Sequence, residues 1–306
     1  MSRLVLFLFT IGVAFFGGFE AARWNPFKGT GPKGAGEKML GAGFSPTPYP
    51  VKNKNFTVVV VGHNNGAYVQ KTLDSLFRQN YSQFRLVYID DASNDGSFEL
   101  ARDLIYDSDF MLETTVVRNE ERLGTLANLV RAVEGCPDDE IIAVLEGEDW
   151  LAHEWVLQRL NAYYADPDLW LTYGQSREFP SFGLGNARPV PVAAWKERGF
   201  RGQPFAPGPL RTFYAGLFKK IKESDLIYQG KFLPACSDLA YMLPMLEMAK
   251  DHFQCIPETL YIANGYARKE EERELQMKCE RFIRSLNPYS SLAVLELKTE
   301  SAEESP

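Results

Sequence analysis

The sequence predicts an α/β protein built on a mainly parallel sheet with helices on both faces. From Phe56 onward, short apolar runs alternate with segments whose apolar residues recur at helical spacing, an order that joins parallel strands by crossover helices. The chain has 306 residues, 45% of them hydrophobic and 24% charged. It can therefore bury one sizeable core, and its composition is not that of a disordered or fibrous protein. A third feature locates the function: Glu146, Glu148 and Asp149 follow directly on the apolar run Ile141 to Leu145. Carboxylates crowded at the end of a buried strand cost free energy unless a cation or substrate offsets their repulsion. A metal site is the first expectation.

Taken in order, the chain opens with Arg3 and an apolar run from Leu4 to Phe19, ending at Glu20. As a helix this run reaches about 24 Å, short of a hydrocarbon core of about 30 Å. Residues 1–22 therefore read as a signal anchor or a signal peptide, with membrane association through residues 4–19 or export as the expected localisation. Positive charge lies on both sides of the run, so the side of the membrane is not fixed. Residues 23–54 collect Gly, Pro and Lys without periodicity and read as a linker.

Phe56 to Val61 is a β-branched run, and Tyr68 to Gln79 spaces Val69, Leu73, Leu76 and Phe77 as a helix does. Arg85 to Ile89 is a second strand, Phe98 to Tyr106 a helix, and Thr114 to Val117 a third strand. Leu123 to Val133 is a third helix and Ile141 to Leu145 a fourth strand. Beyond them, Gly174 to Leu217 is rich in Pro, Gly and Arg and lacks periodicity, the pattern of a mobile or exposed loop. Lys269 to Leu286 reads as a charged amphipathic helix, and residues 291–306 as an acidic tail. Ligands on such a sheet bind beyond the C-terminal ends of the strands, which directs attention to Gly62 to Asn65, Asp90 to Gly96, Arg118 to Gly124 and Glu146 to Asp149.

Several readings are excluded. Asp91, Ser93, Asp95 and Gly96 begin like a calcium-binding EF-hand loop, but Arg102 stands where that loop needs a bidentate Glu. The glycines of Gly62 to Gly66 lack both the GxGxxG spacing and the P-loop Lys-Ser/Thr pair. Four cysteines without CxxC spacing suggest buried thiols. A net charge of -7 argues against a nucleic-acid partner. Asn55-Phe56-Thr57 and Asn80-Tyr81-Ser82 are N-glycosylation sequons that matter only in a lumenal setting.

Four ordered segments resemble the nucleotide-sugar domain of GT-A glycosyltransferases, specifically the large inverting family 2. VVVVGHNNGAYVQKTLDSLFRQNY resembles the opening strand, its Asn (here Asn64) and the following helix. YIDDASNDGS resembles the aspartate-rich second strand end, RNEERLGTLAN the turn into the next helix, and LEGEDWL the Leu-Asp-x-Asp-Asp metal motif. Further on, PLRTFYAGLFKKI, and then an aspartate opening a helix before a Pro-Glu-x-Leu-Tyr strand, are similar to a bacterial-type branch. The resemblance implies a GT-A, Rossmann-like domain over residues 55–290. It also implies a divalent ion, Mn²⁺ or Mg²⁺, because a departing diphosphate gains negative charge that hard oxygen ligands and a cation can share.

By resemblance, Glu146 and Glu148 hold the two Asp-x-Asp positions and Asp149 is the adjacent third carboxylate. Both family aspartates are glutamates here. The extra methylene shifts the carboxylate by about an ångström, and displacements of that size can cost about a hundredfold in rate. Asp91 is implied as the uracil partner, since a carboxylate accepts from an imide N–H. His63, Asn64, Asn119 and Arg211 are the further nucleotide contacts, and Asp238 is the base that takes the acceptor hydroxyl's proton in a setting apolar enough to strengthen it. Glu247 is the backup base. The structural alternatives are an acidic turn at Glu146 to Asp149 and a helix cap at Ser237 or Asp238.

The expected function is thus transfer of a hexose or N-acetylhexosamine from a UDP-type donor to a saccharide, lipid or protein hydroxyl. The alternatives are a catalytically weak or inactive nucleotide-sugar-binding module, and a secreted carbohydrate-binding protein without a nucleotide role.

Overall fold

A computed structural model describes residues 39–40, 51–108, 113–191, 199–265 and 270–298. The expected anchor or signal at 1–22, most of the linker and residues 299–306 of the tail lie outside the described residues. Among the described residues no helix is long and apolar enough to cross a membrane.

In chain order the elements are β1 (Met39–Leu40), β2 (Phe56–Gly62), α1 (Gly66–Phe77), β3 (Phe84–Asp90), α2 (Ser97–Asp107), β4 (Thr114–Arg118), α3 (Thr125–Glu134) and β5 (Ile141–Glu146). There follow β6 (Trp150–Leu151), α4 (Val156–Tyr163), β7 (Leu171–Phe179), β8 (Gly183–Leu184), β9 (Val190–Pro191) and β10 (Arg211–Tyr214). The C-terminal part holds α5 (Ala215–Phe218), α6 (Glu223–Leu226), β11 (Ile227–Tyr228), β12 (Lys231–Phe232), α7 (Ser237–Ala249), β13 (Phe253–Asn264) and α8 (Glu270–Ser285).

The main sheet runs β4-β3-β2-β5-β10-β7-β13-β6. β2 pairs in parallel with β3 and β5, and β3 with β4. β10 is antiparallel to both β5 and β7, and β7 is again parallel to β13. Two parallel blocks thus share one direction across a single reversed strand. The C-terminal ends of β2, β3, β5, β7 and β13 and the start of β10 therefore meet at one edge.

Every residue of β2 is buried, as expected of a parallel strand covered on both faces. Alternate side chains divide between two cores. Val59, Val61, Val87, Ile89, Ile142 and Val144 face α3, α7 and α8, whereas Val58, Val60, Leu86, Tyr88, Ala143 and Leu145 face α1, α2 and α4. The helix α7 is buried along nearly its whole length from Leu239 to Ala249, which is why it shows little amphipathic pattern.

The segment expected as a loop from Gly174 to Leu217 contains most of β7 and all of β10. Short length hides β10, and β7 ends in exposed Arg177 and Glu178. Both are fixed by a buried hydroxyl chain: Thr172 and Thr212 oxygens lie 2.6 Å apart, and Tyr164 is 2.9 Å from Thr212. The described part of the tail is packed, with Leu292 and Leu295 against one core and Leu297 against the other.

Glu247, the backup base, is instead a structural anchor. Arg201 donates to its two carboxylate oxygens at 2.7 and 2.9 Å, and the Tyr289 N–H donates to one of them at 2.9 Å. Both partners of the ion pair are more than nine-tenths buried, so neither is free to exchange protons with a substrate. Glu247→Gln leaves a buried guanidinium without its counter-charge and is expected to cost about 3–5 kcal/mol of stability. Chemical denaturation checks this; an unchanged unfolding midpoint would contradict the structural role.

Candidate active site

The common edge gathers most of the residues that the sequence singles out, delivered by the ends of strands, by the start of β10 for Arg211 and by the first turn of α7 for Asp238. After β2, Asn64 adopts a left-handed φ of 51°, its N–H donates to Ser93 Oγ at 2.9 Å, and its Oδ1 accepts the Asn94 N–H at 2.9 Å. His63 Nδ1 lies 2.7 Å from the Asp91 carbonyl oxygen. A carbonyl only accepts, so the proton sits on Nδ1, and Nε2 accepts from Asn64 Nδ2 at 3.2 Å. His63 and Asn64 therefore tie the first loop to the second.

Asp91 organises the third. Its Oδ1 accepts from Asn119 Nδ2 and from the Leu123 N–H, each at 2.8 Å, and its Oδ2 accepts the Gly124 N–H at 2.8 Å. Gly124 reaches that position with φ 88°, a conformation that favours glycine. Burial alone would raise the Asp91 carboxyl, but the donors from Leu123, Asn128, Asn119 and Gly124 outweigh it and hold the group below its ordinary range. Asn119 is buried and also donates to Asn128 Oδ1 at 2.7 Å. A carboxylate offers about four acceptor directions. The four donors thus occupy the directions of Asp91, and a cavity of about 260 Å³ lined by Ala92, Ser93, Arg118, Asn119 and Glu120 lies at the neighbouring loop ends.

The acidic turn after β5 is held from beneath. Asn65 Nδ2 donates to the Gly147 carbonyl at 2.6 Å, and Thr72 Oγ reaches the Gly147 and Asp149 carbonyls at 2.9 and 2.8 Å. A Cβ on Gly147 would lie 2.6 Å from both Asn65 Nδ2 and Gly62 Cα, so only glycine lets this turn sit against β2. Asp149 is drawn towards β13: its Oδ2 accepts the Tyr261 hydroxyl and its Oδ1 the Asn264 N–H, each at 2.6 Å. Sequence reasoning did not assign Tyr261 and Asn264 this part, although Tyr261 is the final residue of the Pro-Glu-x-Leu-Tyr stretch.

Among the described residues no group of three or more His, Cys, Asp or Glu is arranged to hold a metal ion. Asp149 is engaged instead with Tyr261 and Asn264. Glu146 and Glu148 are half-buried, and Mg²⁺ or Mn²⁺ is commonly held by one or two carboxylates with phosphate and water oxygens completing the shell. Burial, then Glu148 and Asp149, push the Glu146 carboxyl up to about 8, with Arg211 opposing and Asp238 adding. Burial raises Glu148, against its own N–H. Burial lifts Asp149 to about 6 despite its two donors. Such crowding suits a cation.

Arg211, at the start of β10, is the cation that the chain itself supplies. Its Nη2 donates to Asp238 Oδ2 at 2.9 Å and to the Pro207 carbonyl at 3.3 Å, while its Nε is buried without a partner. Burial would weaken its charge, yet Asp238, Tyr241, Glu146 and Tyr261 hold it protonated. Asp238 thus sits in an ion pair, not in the apolar setting expected, and about a third of its side chain is exposed. The residue before α7 is Cys236, with φ 57° and no side-chain cap bond, while Asp238 Oδ1 accepts the Leu239 N–H of the helix's first turn at 2.9 Å.

Residues 57–220 match the model of the family described as glycosyl transferase family 2. The chain belongs to glycosyl transferase family 2. Over 121 residues this family 2 chain is 29% identical to Uncharacterized protein MT1568 of Mycobacterium tuberculosis (strain CDC 1551 / Oshkosh), a match spanning 40% of this chain and 36% of that protein. Its fold is similar to that of mannosyltransferase PcManGT from Pyrobaculum calidifontis, solved in complex with GDP-Man and Mn²⁺, at a TM-score of 0.56 and 18% identity over 79% of this chain and 69% of the other. It is also similar to S. aureus TarS 1–349 in complex with UDP-GlcNAc, at a TM-score of 0.53 and 17% identity over 77% and 68% of the two chains. These likenesses bear out the GT-A fold read from the sequence.

The raised carboxyl of Glu146 makes the family 2 chain's stability depend on pH. Its folded value, about 8, lies above its ordinary 4.5, so between those values the folded state binds more protons than the unfolded one and stability falls as pH rises. Asp149 acts in the same direction between its ordinary value and about 6. The melting temperature of the metal-free protein is expected to drop between pH 5 and 8 and to drop less in Glu146→Gln. A scan in which both proteins show the same pH dependence would contradict the assignment.

Proposed function

We propose that this chain transfers a sugar with inversion from a nucleoside-diphosphate donor of the UDP type to an acceptor hydroxyl. The observation that carries the reading is the meeting, at one sheet edge, of the Asp238–Arg211 ion pair with the half-buried carboxylates of Glu146 and Glu148. Membership of family 2 supports it, as does a fold shared with proteins solved with UDP-GlcNAc and GDP-Man.

In this reading Asp238 accepts the acceptor hydroxyl's proton while that oxygen attacks C1 of the donor, and the C1–O bond to the diphosphate breaks on the opposite face with its electron pair leaving on phosphate. Arg211 orients Asp238 through Oδ2 and leaves its Nε for a ligand oxygen. Asp91 takes the base's imide N–H in exchange for one of its present donors, and His63, Asn64 and Asn119 keep the loops around it in register. Glu146 and Glu148 would hold the Mn²⁺ or Mg²⁺. When bound, that ion supplies neutralisation of the leaving diphosphate. Asp149 keeps the turn against β13 through Tyr261 and Asn264.

A second reading has a specific observation behind it. Glutamates stand at both Asp-x-Asp positions and Asp149 is occupied by protein donors, which fits a chain that binds a nucleotide-sugar and turns it over slowly. Membrane association through residues 4–19 belongs to the proposal equally under both readings.

The test is a screen of UDP- and GDP-sugars for nucleotide release with Mg²⁺ or Mn²⁺. Release from a UDP-sugar is expected, and Asp238→Asn is expected to cut transfer by about 100-fold or more while UDP binding persists. Loss of UDP binding in that variant would remove Asp238 from the role of base, and UDP binding without turnover in the unaltered protein would favour the second reading.

A further inference from the structure

Three buried polar atoms beneath the first two loops have no hydrogen-bond partner among the described residues: Asn65 Oδ1, Tyr88 Oη and Asp90 Oδ2. Asn65 is 4% accessible, and Tyr88 and Asp90 are fully enclosed. The reaction as proposed uses none of the three atoms. A buried polar group left unpaired is costly, and where the protein supplies no partner an ordered water or an ion does.

The three converge on one face of the sheet. Gly62 and Asp90 are register partners on parallel strands, about 4.8 Å apart, and Tyr88 stands two residues before Asp90 on the same face of β3. Asn65, the residue before α1, folds back over this face, so that a Cβ on Gly62 would lie 2.6 Å from Asn65 Oδ1. The direction of the amide is fixed, because its Nδ2 donates to the Gly147 carbonyl, which only accepts. Oδ1 is therefore the atom turned to the cluster. Burial pushes the Tyr88 hydroxyl up, the Asn65 amide opposes, and Asp90 and Asp95 add, so the groups lie within one another's fields. None bonds another directly.

The count of donors and acceptors selects the occupant. Asn65 Oδ1 and a carboxylate oxygen only accept, whereas Tyr88 has one O–H to give. On the other side of Asp90, Oδ1 already takes the Ser93 N–H at 3.0 Å, with Arg118 Nε 3.9 Å away. An alkali cation or an ammonium would meet the two acceptors and leave the Tyr88 proton buried with nothing to receive it. A water donates twice and accepts once, which matches the three groups one for one.

We infer that Asn65, Tyr88 and Asp90 bind one buried water molecule that joins the two ends of the site. It donates to Asn65 Oδ1 and Asp90 Oδ2 and accepts from Tyr88 Oη. Asn65 carries the Gly147 carbonyl of the acidic turn. The Asp90 carbonyl accepts the Asn119 N–H at 2.9 Å, and Asn119 in turn donates to Asp91. The water thus links the acidic turn to the loops around Asp91, and Tyr88 is a positioning residue that acts through it. The link between metal and nucleotide rests on the transferase reading; the water site does not.

The first test is a crystal structure of the full chain grown in rubidium chloride, with anomalous data. A peak of water strength is expected at about 2.7–3.0 Å from all three oxygens, without anomalous signal. No peak there, or a rubidium signal, would overturn the inference. The second is calorimetry of UDP with and without Mg²⁺ in the unaltered protein and in Tyr88→Phe. The factor by which Mg²⁺ tightens UDP is expected to fall about fivefold in the variant, while affinity for UDP alone changes less than about twofold. A merely structural hydroxyl would weaken UDP alike in both conditions; that result, or an unchanged factor, would contradict the link. Should Tyr88→Phe not fold, the peak in the unaltered protein decides. Absence of UDP binding to the unaltered protein would sink the transferase reading and leave the water site to the crystal alone.

Discussion

Four carboxylates and one buried guanidinium share the edge of this sheet, and the rest of the site is arranged around their imbalance. Glu148, Asp149 and Asp238 all bear on Glu146, and among the described residues Arg211 is the cation set against them. One positive charge cannot satisfy four negative ones in a partly desolvated place. The chain resolves part of the strain by pairing Arg211 with Asp238 and by handing Asp149 to Tyr261 and Asn264. The remainder falls on Glu146, which retains its proton up to about pH 8.

The fold explains why the imbalance persists. Gly147 lies too close to Gly62 and Asn65 for any side chain, and Asn65 and Thr72 pin the turn by its carbonyls, so the backbone holds the acidic residues side by side. β10 is the one reversed strand between two parallel blocks, and that reversal brings Arg211, at its first residue, to the edge where the other strands end. The first three loops are tied together at Asp91, which binds backbone and side-chain donors from the third loop while its own carbonyl accepts from His63. The proposed nucleotide end and the acidic end are thus built from different strands on one scaffold.

Much of this was legible in the sequence. Apolar periodicity placed the first four strands of the parallel block and their helices within about two residues, because most are buried and each is bounded by turn residues, although β4 is short and largely exposed. The acidic turn, Asp91 and Asp238 stood out through ordered resemblance. What stayed hidden depends on contacts distant in the chain. Nothing in a four-residue stretch such as Arg211–Tyr214 announces a strand, since its partners Val144 and Thr172 create it. The anchoring of Glu247 by Arg201 joins residues 46 positions apart, and the apolar neighbours of Asp238 in sequence gave no sign of Arg211.

The most direct test is calorimetry of UDP with Mg²⁺ at pH 7 in two buffers of different ionisation enthalpy, which counts protons exchanged on binding. A carboxyl that titrates near 8 is mostly protonated at that pH, so binding should release ~1 proton per site as the cation replaces it. Binding with no proton release, or with uptake, would contradict the claim that Glu146 keeps its proton until a metal–diphosphate arrives.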